Sequence, residues 1–413
     1  MKADTLVLGA GIVGVSVALH LAMRGRSVVL VDRRGPGEET SYGNAGLVER
    51  ASIYPVAFPR SISALIEVAL KRNPGANYHW SALPGLAPWM YQYWKASSPA
   101  RILDYARTIE KLLSRTIEEH HHLAGPAGAL HYFREGGWLK LYRTPAGLDN
   151  ERTEFPLART YGLTPRELSV DEALAVEPSL RPVFMGAVLW SDPHSVSSPG
   201  GVAQAYAAHF QSLGGRIVTG DARTLTRGGA GWKVTTAEGE IEAPDAVVAL
   251  GPWAMDVLAP LGVRLPLAVK RGYHMHYRAE GGAGLSRPVL DEEGGYVITP
   301  MEQGIRLTTG VEFARRDAPK SPVQLAVTER LARGLFPLGE RLEAEPWMGC
   351  RPAFPDMLPV IGPAPGQNGL WLAIGHQHLG FTLGPITGRL LAEMMNGHTP
   401  CTDPAPFAAT RFA

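Results

Sequence analysis

The sequence predicts an α/β protein: a parallel-sheet domain, assembled from separated stretches of chain, carrying an inserted α+β domain dominated by an antiparallel sheet. Three observations predict it. TLVLGAGIVGVSVALHLAMRGRSVVLVD reads strand, glycine turn, helix, strand from residue 5 onward. Apolar strands return in the middle, at RIVTG and DAVVAL, and near the end, at LWLAIG. Between them KRGYHMHYR and GGYVITPMEQGIRLTTG alternate as antiparallel strands with one wet face would.

Taken in order, residues 5–8 form a buried strand, 12–24 the following helix and 27–31 a second strand ending at Asp32. Gly9, Gly11 and Gly14 stand where glycine lets the backbone approach a pyrophosphate held by helix-start N–H groups. Asp32 is placed to accept hydrogen bonds from a ribose. A glycine turn alone is a weak signal. Strand, turn, helix, strand and terminal acid in this order make a Rossmann-like dinucleotide-binding unit. The loop RRGPGEETSYGNAGLV follows, its small side chains suited to lying against a ligand.

Residues 60–124 read as helices broken at Asn73–Pro74, Pro84–Gly85 and Ser98–Pro99, with Trp80, Trp89, Tyr91, Tyr93 and Trp94 clustered in the middle. A strand at 137–142, a capped helix start at Ser169 and a long helix from about Gly200 come next. After the Gly214–Gly215 stop, a strand at 216–218, a hairpin and an apolar strand at 246–250 return to α/β structure, the last expected beside the first strand. In 273–277, period two puts Tyr273, Met275 and Tyr277 on one face and His274 and His276 on the other. A strand at 370–374, a glycine-rich loop and a helix starting after Gly384 end the chain. The cofactor-binding domain then comprises residues 1–59, 191–265 and 346–413, and the inserted substrate domain 60–190 and 266–345.

Composition narrows the function. The 413 residues, 45% hydrophobic, bury a large core. Lys and Arg number 40 against 39 Asp and Glu, so no net field draws nucleic acid, and small molecules are the expected partners. Two cysteines offer neither a disulfide framework nor zinc spacing, and the expectation is a cytoplasmic protein without metal. No apolar run reaches the roughly 18 residues of a spanning helix, and peripheral membrane attachment stays open.

The N-terminal fingerprint, SYGNAGLV, AVVALGPWA, GCRPAFPDMLPVIG and GHQHLGFTLGP, in that order, resemble the D-amino-acid oxidase superfamily of FAD-dependent oxidoreductases over nearly the whole chain. The SYGNAG loop is most similar to bacterial D-amino-acid dehydrogenases, and GHQHLGFTLGPITG to D-proline and hydroxy-D-proline dehydrogenases. The resemblance implies FAD, with Gly9, Gly11, Ile12, Val13 and Gly14 at the pyrophosphate and Asp32 and Arg33 near the ribose and adenine. It further implies Ser41, Asn44, Ala45, Gly46 and Leu47 along the flavin, Ala222 at the adenine, and Leu250, Gly251 and Trp253 in the turn after the middle strand. Gly375, His376, His378, Leu379, Gly380, Phe381 and Thr382, with Arg351, would border the isoalloxazine.

The resemblance implies Arg351 of GCRP as the substrate anchor, a role that suits a fork-shaped guanidinium, which matches a carboxylate with two parallel hydrogen bonds. The implied reaction dehydrogenates a D-amino acid, D-proline or cis-4-hydroxy-D-proline favoured, by hydride transfer from the α-carbon to flavin N5. The alternatives are a sarcosine- or glycine-type amine oxidase using oxygen, and a flavin-carrying subunit of a larger dehydrogenase. The electron acceptor, whether quinone, partner subunit or oxygen, stays open.

Tyr54, Tyr273, His274 and Tyr296 are candidates for substrate contact, or else packed aromatics and a core histidine. His376 and His378 are read as hydrogen-bonding to flavin or substrate, without further ligands for a metal. The His120–His122 run reads as a solvated helix end. Cys350 is either a flavin-linked thiol, as in sarcosine oxidases, or a buried inert one.

Overall fold

The computed structural model describes residues 3–229 and 231–412. Strand Thr5–Leu8 lies at the centre of a six-stranded sheet. It pairs in parallel with Val28–Asp32 on one side and Asp245–Val248 on the other. Arg216–Thr219 extends the first side, Leu370–Ile374 and Val360–Pro363 the second. The start, middle and end of the chain therefore build one sheet. Its inner strands are unbroken apolar runs because helices and loops cover both faces.

Helix Ile12–Ala22 follows the first strand and packs along the C-terminal helix Gly380–Met395. The C-terminal helix starts four residues before Gly384, correcting the expected start after it. Gly384 is a packing contact instead: a Cβ there would stand 3.1 Å from the Ile12 side chain. One turn later, at Gly388, it would stand 2.6 Å from the Ser16 backbone. Small residues thus let the two helices lie close together, with both N-termini at the same end of the sheet.

The second layer is an antiparallel-dominated sheet of eleven strands organised around Ala268–Ala279. That strand pairs with Gly304–Thr309, Val311–Phe313, Leu338–Arg341 and Trp347–Ala353. Trp347–Ala353, on the far side of the boundary read at 345/346, thus belongs by pairing to this sheet. The expected wet face is absent, since 270–277 is buried throughout. Helix Val323–Leu335, unread in the sequence, covers one face through Leu325, Ala332 and Leu335. The other face turns toward the parallel sheet.

The helical excursion comprises Ile62–Ala69, which buries no residue, and Leu83–Ala96, Pro99–Leu113 and Thr116–Ala124, the last two packed on the C-terminal helix. It holds one unforeseen strand, Ala76–Tyr78, paired with Val311–Phe313. Pro84 and Gly85 do not break a helix; they open one, in a first turn where a missing proline N–H costs nothing. Ser169 and Glu172 cap the helix Val170–Val176 reciprocally. No helix among the described residues is long and apolar enough to cross a membrane.

Candidate active site

A cavity of about 760 Å³ runs from the C-terminal edge of the parallel sheet to the face of the antiparallel one. The first βα turn forms one end. Gly9 takes φ 105°, and a Cβ on Gly14 would sit 1.8 Å from the Gly9 carbonyl oxygen, so only glycine brings helix and turn together. The helix N-terminus carries no acid in its first turn, and its Ile12 N–H donates to Ser41 Oγ at 2.9 Å. Asp32 accepts from the Ala10 N–H at 2.6 Å and from the Arg34 N–H at 2.9 Å, which locks its carboxylate at the cavity edge. Arg33 lies 4.3 Å over the Trp253 ring beside it.

The C-terminal helix contributes a second uncapped N-terminus, at Gly380 and Phe381. Ahead of it Gln377 is held at φ 54°, its side-chain amide donating to the Met357 carbonyl at 2.5 Å. His120, fully buried, bonds the Phe381 carbonyl at 2.9 Å and the Tyr206 hydroxyl at 3.1 Å. Burial pushes its pKa down to about 4. His120 therefore fixes the cradle as a neutral ring, and the expected solvated helix end is corrected there.

Of the anticipated cofactor residues, Gly9, Gly11, Ile12, Val13, Asp32, Arg33, Ser41, Asn44, Ala45, Ala222, Leu250, Gly251, Trp253, Arg351, His376, His378, Gly380 and Phe381 line the cavity. Gly14, Gly46, Leu47, Gly375, Leu379 and Thr382 stand behind the lining. Gly46 and Gly375 are pressed against Val196 and Phe354. Leu379 is a core residue, and the buried Thr382 hydroxyl ties the Leu47 carbonyl to the Glu49 N–H.

The substrate end is set by register. Lys270 pairs with Arg351, Gly272 with Gly349 and His274 with Trp347, so these six share one sheet face. Arg351 lies over Gly272, where a Cβ would meet its Nη2 at 2.6 Å. Its guanidinium donates to the Gly310 carbonyl at 2.8 Å and the Thr309 carbonyl at 3.3 Å, and among the described residues it has no ion pair. Burial lowers its pKa, opposed by Glu49. Glu49 lines the cavity with it, and burial lifts the Glu49 carboxyl to about 6 against the Ser52 hydroxyl bond and Arg351.

Lys270 sits behind Arg351, its ammonium 4.0 Å over Tyr93 and 5.4 Å over Trp89, and burial next to Arg351 pulls its pKa to about 7. His378, pushed to about 3 by burial and by these two cations, is neutral, as is His376, which burial holds at about 3.

The remaining catalytic candidates are not brought to this end. Tyr273 lies on the opposite sheet face, its hydroxyl bound to Glu312, Arg271 and the Ser321 N–H, and it reaches the cavity wall without a free polar group. His274 is on the correct face but is covered by Trp347, stacked 4.7 Å away. Tyr54 packs half-buried on the core, and Tyr296 is buried beside Asp291. Cys350 alternates away from Arg351 into a smaller cavity, and burial lifts its thiol to about 11. No cluster of metal-ligating side chains occurs among the described residues.

Glu49 and Lys270 were missed by sequence reading. Neither belongs to a motif, and only the pairing of Ala268–Ala279 with Trp347–Ala353 gathers Lys270 toward Arg351.

This cavity fits FAD: two helix N-termini whose cap residues make no side-chain bond turn N–H groups toward pyrophosphate and flavin, and Asp32 supplies acceptors for ribose. Residues 4–394 match the FAD dependent oxidoreductase family. The chain belongs to that family.

This oxidoreductase is 31% identical over 98% of each chain to a D-amino-acid oxidase of Bradyrhizobium diazoefficiens. It is 32% identical to D-amino acid dehydrogenase 2 of Ralstonia nicotianae, over 98% of this chain and 99% of the other. In fold it is similar to glycine oxidase from Geobacillus kaustophilus, with a TM-score of 0.77 at 24% identity, covering 100% of this chain and 99% of that one.

Proposed function

We propose that this enzyme dehydrogenates a D-amino acid at the α-carbon, with D-proline or cis-4-hydroxy-D-proline as the favoured substrate and a quinone or partner chain as acceptor. One observation carries the reading: Arg351, half-buried at the cavity end, donates to two carbonyls and makes no ion pair among the described residues. A guanidinium drawn largely out of water with no carboxylate hydrogen-bonded to it is costly, and a substrate carboxylate offsets that cost. The names of the full-length relatives and the similarity of residues 375–388 to D-proline-type dehydrogenases support the substrate class.

Bound FAD supplies the two-electron acceptor. The chain's own groups bind and orient. Arg351 holds the carboxylate by two parallel hydrogen bonds, which presents the α-hydrogen to the flavin. Glu49, the acid in the same cavity, receives a proton from the substrate ammonium, leaving the amine lone pair to form the C=N bond as the α-hydrogen leaves with its electron pair. The uncharged His378 adds no further cation to that wall. A cyclic substrate departs as the imine, whereas an open-chain imine is hydrolysed to keto acid and ammonia.

The reading is tested by mixing the enzyme anaerobically with D-proline, cis-4-hydroxy-D-proline, D-alanine, sarcosine and glycine while following flavin absorbance. Rapid bleaching by the cyclic D-amino acids, with slow recovery in air, is expected. Bleaching by sarcosine or glycine with fast recovery would replace it with an oxygen-using amine oxidase, and no bleaching would point to a flavin-carrying subunit.

Glu49 also sets a pH dependence. Its folded pKa of about 6 means the carboxylate needed as acceptor forms as pH rises through that value. For the wild type, kcat/KM with D-proline therefore climbs through about pH 6. In Glu49→Gln the limb disappears and the plateau drops about 100-fold. A limb that survives the substitution removes Glu49 from the proton path.

A further inference from the structure

We propose that Arg306 is a positioning residue for the flavin, holding the turn at residues 42–45 so that its free N–H groups face the cofactor. Arg306 stands on strand Gly304–Thr309 of the antiparallel sheet and is 3% exposed. Its Nη1 donates to the Tyr42 carbonyl at 2.9 Å and the Asn44 carbonyl at 2.5 Å, and its Nε donates to His276 Nε2 at 3.0 Å. Among the described residues it makes no ion pair. A charge that is costly to bury is thus committed to two carbonyls of the loop that walls the FAD cavity.

Peptide geometry carries the consequence. In a trans peptide the N–H points opposite to the C=O, so drawing the carbonyls of Tyr42 and Asn44 toward Arg306 turns the N–H groups of Gly43 and Ala45 the other way. Gly43 and Ala45 both line the cavity, and neither N–H has a partner among the described residues. The groups around them are taken. The Gly46 and Leu47 N–H groups donate to Asn44 Oδ1 at 2.7 and 3.3 Å, and the Ala45 and Gly46 carbonyls accept from Thr299 Oγ1 and the Val196 N–H, both at 2.8 Å. Two fixed, unspent donors at a cofactor wall favour the negative charge that a flavin gains on reduction.

Arg306 is itself oriented from behind. Because its Nε must donate, His276 Nε2 must be a bare acceptor, which puts the imidazole proton on Nδ1, bonded to the half-exposed Glu343. Glu343 also accepts from the His276 backbone N–H at 2.9 Å. Burial and the adjacent guanidinium lower the pKa of His276 against the pull of Glu343, which keeps Nε2 unprotonated. Glu343, His276 and Arg306 therefore form one chain of hydrogen bonds from the surface to the flavin-side loop. The inference rests on FAD binding and not on the choice of substrate, so the D-proline reading can fail alone.

The test equilibrates the FAD-loaded enzyme with a reference dye and reads flavin absorbance, without any amino acid present. Arg306→Lys keeps the charge but loses the fork that serves two carbonyls and His276 together. It is expected to make flavin reduction about tenfold less favourable, which is about 30 mV for a two-electron couple, and to speed hydrogen exchange of the peptide covering residues 41–47 by about tenfold. Glu343→Ala separates positioning from charge. Deleting a carboxylate would by charge alone make reduction easier, whereas here it makes reduction harder, because His276 loses its proton acceptor and no longer presents Nε2 to Arg306. A wild-type redox equilibrium in Arg306→Lys overturns the proposal, as does unchanged or easier reduction in Glu343→Ala. Should Arg306→Lys fail to fold, Glu343→Ala decides alone.

Discussion

Arg351→Ala lowers kcat/KM for the amino-acid substrate by about 2–4 kcal/mol, a factor of roughly 30 to 1,000, while FAD content stays at the wild-type level. The size follows from the setting. Arg351 is a half-buried cation whose hydrogen-bond partners are the Gly310 and Thr309 carbonyls, so the substrate carboxylate supplies a directly bonded negative charge. Part of the loss could come from releasing those carbonyls, and Arg351→Lys separates the two effects. A lysine keeps the charge and one carbonyl bond but lacks the fork, so most of the activity loss should remain. Steady-state kinetics with a thermal melt reads both. Unchanged KM and kcat in Arg351→Ala would take this residue out of the site.

Gly14→Ala removes FAD. The new Cβ would lie 1.8 Å from the Gly9 carbonyl oxygen, a backbone atom that no side-chain rotation can clear, so the helix start must move off the turn. The helix N–H groups then no longer point at the pyrophosphate, and affinity for FAD should fall by about 100-fold or more, on the order of 3 kcal/mol. The FAD-to-protein ratio after purification measures this directly. Gly85→Ala is the control: nothing lies within 4 Å of a Cβ there, and FAD content should not change. A Gly14→Ala protein that retains stoichiometric FAD would show that the turn is not the cofactor's anchor.

How far the sequence reading reached depended on how local each signal was. The strand–turn–helix–strand unit was legible because period, glycine spacing and terminal acid all fall within residues 5–32. The capping box at Ser169 and Glu172 and the stop at Gly214–Gly215 were legible for the same reason. Helix Val323–Leu335 was not, because it lies among alternating strands and shows only one apolar stripe. The His120–His122 run misled, since spacing along a helix does not say what packs over it, and Phe381 and Tyr206 come from distant parts of the chain. Period two separated Tyr273 from His274 correctly but could not tell which face meets the cavity. Tyr273 is spent on Glu312, and Trp347 covers His274.

By itself, the sequence determined the α/β class and the dinucleotide turn with Asp32, because both are written in contiguous residues whose backbone demands are local, while Arg351 was singled out by the GCRP motif that carries the family resemblance. Tertiary structure alone decided the rest. Pairing between strands some eighty residues apart set Lys270 beside Arg351, and burial drew Glu49 up to about 6 and Lys270 down to about 7. Packing on distant elements fixed which rings face the cavity. Charge state and exposure are properties of the surroundings, and those surroundings exist only once the chain has folded.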